Sequence, residues 1–175
     1  GGGCTTGALS HGKMIDMFNG LDGDGAFAPT RSGAVPVGDL IRLCYSGKYA
    51  TVDEMMKRAV GDAGIAAYLG TADMREVNKM IENGDENAKL VKEAFIYQHA
   101  KDIGSLSVVM KGKVDAILLT GGIAYGKDIT DAIASYTEWI APVVVIPGER
   151  EMIALAQGAL RVLNGEEEAK EYEAW

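Results

Sequence analysis

The sequence predicts an α/β fold built from a β-hairpin, a series of helices and a parallel strand–helix–strand unit. Three observations predict it. Residues 114–120 (VDAILLT) and 142–146 (PVVVI) are short, continuous apolar runs, the pattern of strands buried on both faces, and a helix-length stretch separates them. Near the start, two extended segments flank His11-Gly12, a hairpin turn pair. Between these regions Ile96, Ala100, Ile103, Leu106 and Met110 recur at steps of three and four, the spacing of one helix face.

Composition narrows the function classes. The chain has 175 residues, 17 basic and 25 acidic, with a formal net charge of −8; 47% are hydrophobic and 24% charged. That suits one domain of ordinary size, or half of a larger protein, and excludes a disordered chain. The acidic balance argues against nucleic-acid and membrane-surface partners, which would repel it. Two cysteines, Cys4 and Cys44, are too few for a disulfide scaffold, and two histidines, His11 and His99, make a dedicated zinc site improbable. No apolar run reaches the roughly 18 residues of a bilayer span, and the first residues do not read as a charged-then-apolar leader. A soluble, cytoplasmic protein is expected. Glycine is the anomaly: 23 residues, well above the roughly 7% of average proteins. Clustered glycines imply tight turns or backbone approached closely by a ligand.

Taken in order, the hairpin is expected over Cys4 to Ser10 and Lys13 to Phe18. Asn19 to Pro36 is irregular and rich in Gly, Asp and Pro, and loops of that length are usually functional or disordered. Helices follow at Val37 to Ser46 and Val52 to Val60, the second capped by Thr51, with Met55-Met56 read as packing residues. Gly61 to Gly70 carries the apolar run IAAYL, and a helix from Asp73 to Glu82 stops at Asn83-Gly84. The long helix begins at Asp85 and runs to about Met110. After the first apolar strand comes a Gly-Gly turn and a helix, Ile129 to Ile140; after the second, Pro147-Gly148 turns into a helix, Glu149 to Leu163. The closing EEEAKEYEA (166–174) reads as a charged tail or terminal helix. Cys4 and Cys44 are expected as small core or loop residues, His11 as an exposed turn residue and His99 as a packed residue of the long helix.

Three glycine-rich places could hold chemistry. TGGIAYGKD (120–128) follows a buried strand and nearly fits the phosphate-loop pattern GxxxxGK[ST], with Gly121, Gly126 and Lys127 in place. Asp128 spoils the match, because a carboxylate stands where a hydroxyl should meet a metal ion, and the GxGxxG spacing fails as well. The stretch is therefore either a tight strand–helix connection or a turn that brings bare backbone to a ligand; Tyr125 inside it could line an adenine. Gly1-Gly2-Gly3 with Thr5 and Thr6 offers amides and hydroxyls to an anion, although a flexible end would look the same. Pro29-Thr30-Arg31-Ser32-Gly33 presents a planar fork of donors suited to an oxyanion, or an ordinary surface arginine.

Together these runs resemble a known family. GGGCTTGALSHGKMIDMFNGLDGDGAFAPTRSGAVPVGDL, AAYLGTADMREV, VDAILLTGGIAYGK and VVVIPGEREMIALAQGALRVL are similar, in order, to the C-terminal half of the acetate, propionate and butyrate kinases, nearest the butyrate branch. These belong to the superfamily of sugar kinases, heat-shock chaperones and actin. Two departures stand out: Arg31-Ser32-Gly33-Ala34-Val35-Pro36 lacks the acidic pair of the acetate branch, and Met74 replaces an aromatic residue.

The resemblance implies an actin-like ATPase (ribonuclease H-like) half-domain. Its mixed sheet would hold the hairpin and the parallel units, with helices on both faces. The first strand of that sheet would lie ahead of Gly1, between the hairpin and the parallel pair. Residues 37–84 would be a helical insertion in a nucleotide-binding half spanning 1–175. Gly1, Gly2 and Gly3 would form a phosphate-binding loop, and Arg31 would stabilise charge on the transferring phosphoryl group. Asp73 and Arg75 would lie beside the adenosine, with Gly121, Gly122, Ile123 and Gly126 forming its loop. Glu149 or Glu151 would be associated with Mg²⁺. The implied reaction is reversible transfer of phosphate from ATP to butyrate, giving ADP and butyryl phosphate. Isobutyrate, propionate or acetate are the alternative acids, and a nucleotide-binding or dimerisation module without catalysis is the alternative class. Implied partners are the carboxylate or acyl phosphate, the adenine nucleotide, the missing N-terminal half, and a second copy of the chain. The isolated 175 residues are expected to be nearly inactive and marginally stable.

Overall fold

A computed structural model of the chain describes residues 2–171. The hairpin forms where the turn chemistry calls for it: β1 (Gly7–Ser10) and β2 (Lys13–Met17) pair antiparallel, with Ser10 opposite Lys13. The two residues between them, His11 and Gly12, both take positive φ (49° and 76°), the geometry whose twist matches a two-residue hairpin. Cys4 to Thr6, expected in the first strand, precede the ladder.

Among the described residues, seven helices and a second strand pair follow. They are α1 (Val37–Cys44), α2 (Val52–Ala59), α3 (Gly64–Leu69), α4 (Met74–Glu82), α5 (Glu86–Ser107), β3 (Ile117–Gly121), α6 (Lys127–Thr137), β4 (Val143–Pro147) and α7 (Glu151–Leu163), with a single 3-10 turn at Gly122–Tyr125. Side-chain caps fix several starts. Thr51 Oγ1 accepts from the Glu54 amide at 3.2 Å, and Asp85 Oδ1 from the Ala88 amide at 2.9 Å, each satisfying an otherwise orphan N–H of a first turn. The apolar run IAAYL lies in α3, a short helix ended by Gly70 at φ 76°.

The core gathers on α5. Phe27, Ile65, Val77, Ala88, Val91, Phe95, Ile96, Ile129 and Ile133 form one buried cluster, drawing the long loop, α3, α4 and α6 onto that helix. Phe27 packs edge-to-face on Phe95, and each such side chain contributes about 1.5–3 kcal/mol of burial. His99, expected to be packed, is buried against the Phe95 ring. His11 is an exposed turn residue, Cys44 is exposed, and Cys4 is half-buried beside the core cluster.

Three expectations are corrected. The described strands do not form one mixed sheet: β1 pairs only with β2, and β3 only with β4, the latter in parallel from Ile117 opposite Val143 to Gly121 opposite Pro147. Between the two pairs lies an apolar cleft of about 480 Å³, lined by Cys4–Leu9 on one side, Val114–Thr120 on the other and Phe95, His99 and Leu106 of α5 beneath. A ladder needs strands about 4.8 Å apart, and no described strand bridges this gap. Second, β3 and β4 are not buried on both faces, since Leu118 is 60% exposed and Val144, Val145 and Ile146 are exposed as well. Continuous apolar runs report what a strand is suited to pack against, not what the described residues bring to cover it. Third, Met55-Met56 does not act as a packing pair; Met56 is exposed, and α1, α2 and α7 bury no residue fully. The charged tail lies partly outside the described residues; 166–171 form no regular helix.

Candidate active site

The arginine loop is built from backbone outward. Ala26, Phe27, Ala28 and Pro29 are buried, and the amides of the first three are all bonded, that of Ala28 to Arg31 O at 3.0 Å. From α5, Asp102 Oδ2 accepts the Ala26 amide at 2.7 Å and Gln98 Oε1 the Phe27 amide at 3.2 Å. The first amides of α3, unpartnered within their helix, are taken by the loop: Ile65 N–H donates to Ala28 O at 3.2 Å and Ala66 N–H to Pro29 O at 2.9 Å. The end of α2 closes the other side, with Ser32 N–H on Ala59 O at 2.9 Å and a bridge between Arg31 and Val60. Gly64 makes the contact possible: its φ is +60°, and a Cβ there would overlap the Ala28 carbonyl oxygen.

This scaffold brings two of the expected places together. Thr30 donates from both its amide and its hydroxyl to the Gly2 carbonyl, each at 3.0 Å. The half-buried Arg31 guanidinium, donating to Gly20 O at 3.4 Å, lies so close to Gly3 that any side chain at Gly3 would collide with it. Backbone amides and a planar cation therefore stand side by side, an arrangement suited to phosphate oxygens. Gly1 lies outside the described residues. Just beyond, burial pushes the Cys4 thiol up to about 11, against a weaker opposing effect of the Arg31 charge, so it is no nucleophile at neutral pH.

The other predicted group flanks α4 and the turn after β3. Asp73 caps α4, accepting the Arg75 amide at 2.9 Å, and also holds the Arg75 guanidinium, with Nε 3.0 Å from Oδ1. That side-chain bond lowers the partly exposed Asp73 carboxyl to about 2. Gly121, at φ +86°, and Gly122 face open space where a side chain would stand, so their backbone is accessible. Gly121 and Gly148 exchange a reciprocal pair of 3.0 Å backbone bonds, and the Tyr125 hydroxyl lies over Gly148. Ile123 O accepts the Gly126 amide at 2.9 Å and closes the turn. Lys127, the lysine of the near phosphate-loop pattern, points along the surface to Asp131 at 2.6 Å, and Asp128 turns toward Lys92 of α5. The structure thus disfavours a phosphate-loop lysine here.

Asp128 reaches residues the sequence did not single out. Its carboxylate pairs with Lys92 of α5 and accepts from the Asn78 amide of α4 at 3.2 Å, while Lys92 also donates to Asn78 Oδ1 at 2.7 Å. Burial raises the Asp128 carboxyl, but the Lys92 bond and charge, with the Asn78 bond, outweigh it and leave it lowered. A signal for Lys92 was available: it stands four residues from Ala88 and three from Phe95, on the buried stripe of α5, where an unpaired lysine is rare. Gln98 and Asp102 gave no such signal.

The two groups communicate through the cleft. Cys4, Thr5 and Thr6, leading out of the glycine triplet, and Thr120, Ile123 and Ala124, around the second turn, line it together. The two glutamates expected near Mg²⁺ sit at the start of α7, both exposed, where Glu149 Oε2 accepts the Glu151 amide at 3.0 Å. No cluster of three or more His, Cys, Asp or Glu side chains occurs among the described residues. A single carboxylate fits a Mg²⁺ ion that takes its remaining ligands from phosphates and water.

The profile of the acetokinase family matches residues 1–138. The chain belongs to the acetokinase family. A butyrate kinase 2 of Clostridium acetobutylicum is 55% identical over 172 residues, and a probable butyrate kinase of Clostridium botulinum 52% identical over 172; each match covers 98% of this chain and 48% of the relative. The chain thus spans about half the length of the curated relatives it matches. Among solved structures, the acetate kinase of Porphyromonas gingivalis superposes with a TM-score of 0.83 at 23% identity, covering 93% of this chain and 47% of that one. A propionate kinase of Francisella tularensis gives 0.72 at 28% identity, covering 85% and 44%. The actin-like ATPase fold expected from the sequence is the fold these acetokinase-family structures share with the chain. No helix among the described residues is long and apolar enough to cross a membrane.

Proposed function

We propose that this chain is the nucleotide-binding half of a short-chain carboxylate kinase that transfers the γ-phosphoryl group of ATP to butyrate, reversibly, giving butyryl phosphate and ADP in the cytoplasm. The observation that carries the proposal is the Arg31 guanidinium set against Gly3, beside the Gly2 carbonyl that Thr30 holds. The names of the 55% and 52% identical relatives favour butyrate among the acids.

The residue types suit the chemistry. A carboxylate is already ionised at neutral pH and needs no general base, in keeping with a raised Cys4 and a buried His99. The reaction needs in-line positioning and compensation of the negative charge spread over the phosphoryl oxygens. Arg31 supplies a fixed cation there, and the amides of Gly2 and Gly3 supply donors that need no rearrangement. Asp73, Arg75 and the turn Gly121, Gly122, Ile123 and Gly126 hold the adenosine. Glu149 or Glu151 would hold Mg²⁺, which supplies further charge compensation at the phosphates. The helical stretch 37–84 is an insertion that carries the floor of the arginine loop, and a second copy of the chain associates through this half. An apolar acyl pocket would favour the four-carbon acid by about 0.8 kcal/mol per methylene.

The test is acyl phosphate formation, trapped as hydroxamate, by the complete polypeptide carrying this sequence, with butyrate, isobutyrate, propionate and acetate compared at equal concentration. Highest kcat/KM with butyrate supports the reading, and a preference for another acid reassigns the substrate. Calorimetry with ADP on the 175-residue chain completes it: nucleotide binding without turnover by the complete polypeptide would favour a binding module instead.

A further inference from the structure

We infer that Lys92 is a positioning residue for nucleotide binding, setting the spacing between the two walls that the proposed function assigns to adenosine. One wall is the start of α4, with Asp73 and Arg75; the other is the turn Gly121–Gly126 that opens α6. The inference rests on that assignment.

The two walls pack chiefly on α5 rather than on each other: α4 contributes Val77 to the α5 core, and α6 contributes Ile129 and Ile133. Apolar contacts of this kind tolerate small sliding. The polar link between the walls is directional. Asn78, one turn into α4, donates to Asp128, the second residue of α6, at 3.2 Å, and Lys92 of α5 grips both partners. The Lys92 side chain is only 15% exposed, most of its length being packed within the fold, while the Asp128 carboxylate it meets is 42% exposed. Asp128 sits two residues after Gly126 and its charge also complements the first turn of α6. Asn78 sits five residues after Asp73 on the same short helix. A displacement at Lys92 is therefore delivered to both walls, although Lys92 belongs to neither.

The experiment compares K92M, K92R and the charge-neutral double variant K92M/D128N in the complete polypeptide. KM for ATP, KM for butyrate, kcat and Tm are measured for each. K92M is expected to raise KM for ATP by roughly tenfold, with KM for butyrate unchanged and kcat lowered less than threefold. K92R is expected to restore most of the ATP affinity. If K92M fails to fold, the double variant, which leaves no buried charge unpaired, is read in its place, and the same ATP-specific shift is expected. Unchanged KM for ATP in a folded variant overturns the inference, whether or not Tm falls. So does an equal rise in both KM values. A wild-type protein that neither binds ADP nor phosphorylates any acid overturns the proposed function instead, so the two failures are distinct.

Discussion

The two ends of α5 hold their neighbours by different means. Toward its C-terminal end, Gln98 and Asp102 accept amides of the arginine loop, whose own carbonyls accept the first amides of α3 and whose Thr30 donates to the Gly2 carbonyl. Toward its N-terminal end, a single lysine ties α4 to α6 through Asp128 and Asn78. The first region is a mesh of many backbone bonds around buried alanines, glycines and a proline. The second is one charged knot between two helices that otherwise pack chiefly on α5. A mesh fixes position because no single bond can break and let it move. A knot fixes spacing as long as its central cation is present. Under the proposed function, the part assigned to phosphate is thus the rigid one, as charge compensation in phosphoryl transfer requires, and the part assigned to adenosine is the adjustable one.

Four outcomes would break or sharpen this contrast. The largest concerns the mesh's cargo: Arg31→Ala in the complete polypeptide should lower kcat by about 10³ or more, with KM for ATP changed little, measured by hydroxamate trapping. A loss below tenfold would mean that the rigid region does not hold the charge-compensating group. Next, Gly64→Ala should destabilise the fold by about 2–4 kcal/mol in urea unfolding, because φ +60° and the Ala28 carbonyl both oppose a Cβ. A near-neutral effect would show the mesh to be slack.

His99, between the two ends, supplies a pH test. Burial depresses its pKa to about 4, partly offset by a hydrogen bond with the Phe27 backbone, and its buried Nε2 has no partner among the described residues. The unfolded chain takes up the proton near pH 6.5 and the folded chain only near pH 4, so the stability due to neutral His99 is present above the former and lost as pH falls between the two. That limb has a slope of up to about 1.4 kcal/mol per pH unit. His99→Gln should flatten it, compared by urea midpoints at pH 7 and pH 5; an unchanged slope would assign the acid sensitivity elsewhere. The smallest effect belongs to Lys127→Ala. Its pair with Asp131 is exposed, so stability should change by less than about 0.5 kcal/mol and KM for ATP should stay put. A large rise in KM would restore the phosphate-loop reading that Asp128 argues against.

Much of the chain was legible without coordinates because its signals are local. The positive-φ pair at His11-Gly12 made a hairpin, Thr51 and Asp85 began helices by capping them, and two apolar runs around a helix paired in parallel. The family could be read from motif order alone, and the proposed site residues follow from that resemblance. The Arg31 loop was noticed for its composition, but not for what holds it.

The amino-acid sequence by itself determined the elements, their order and the positions of the bare-backbone turns, because capping, turn and periodicity rules act over a few residues. Only the tertiary structure decided that Arg31 lies against Gly3, that Gln98 and Asp102 bear the loop, and that Lys92 joins α4 to α6. Those contacts link residues from 14 to 76 positions apart, and a glutamine, an aspartate or a lysine on a helix has the same local preferences whether it faces water or carries a loop. The exposure of β3 and β4 was likewise a tertiary matter, since an apolar run fixes what a strand can bury but not what arrives to cover it.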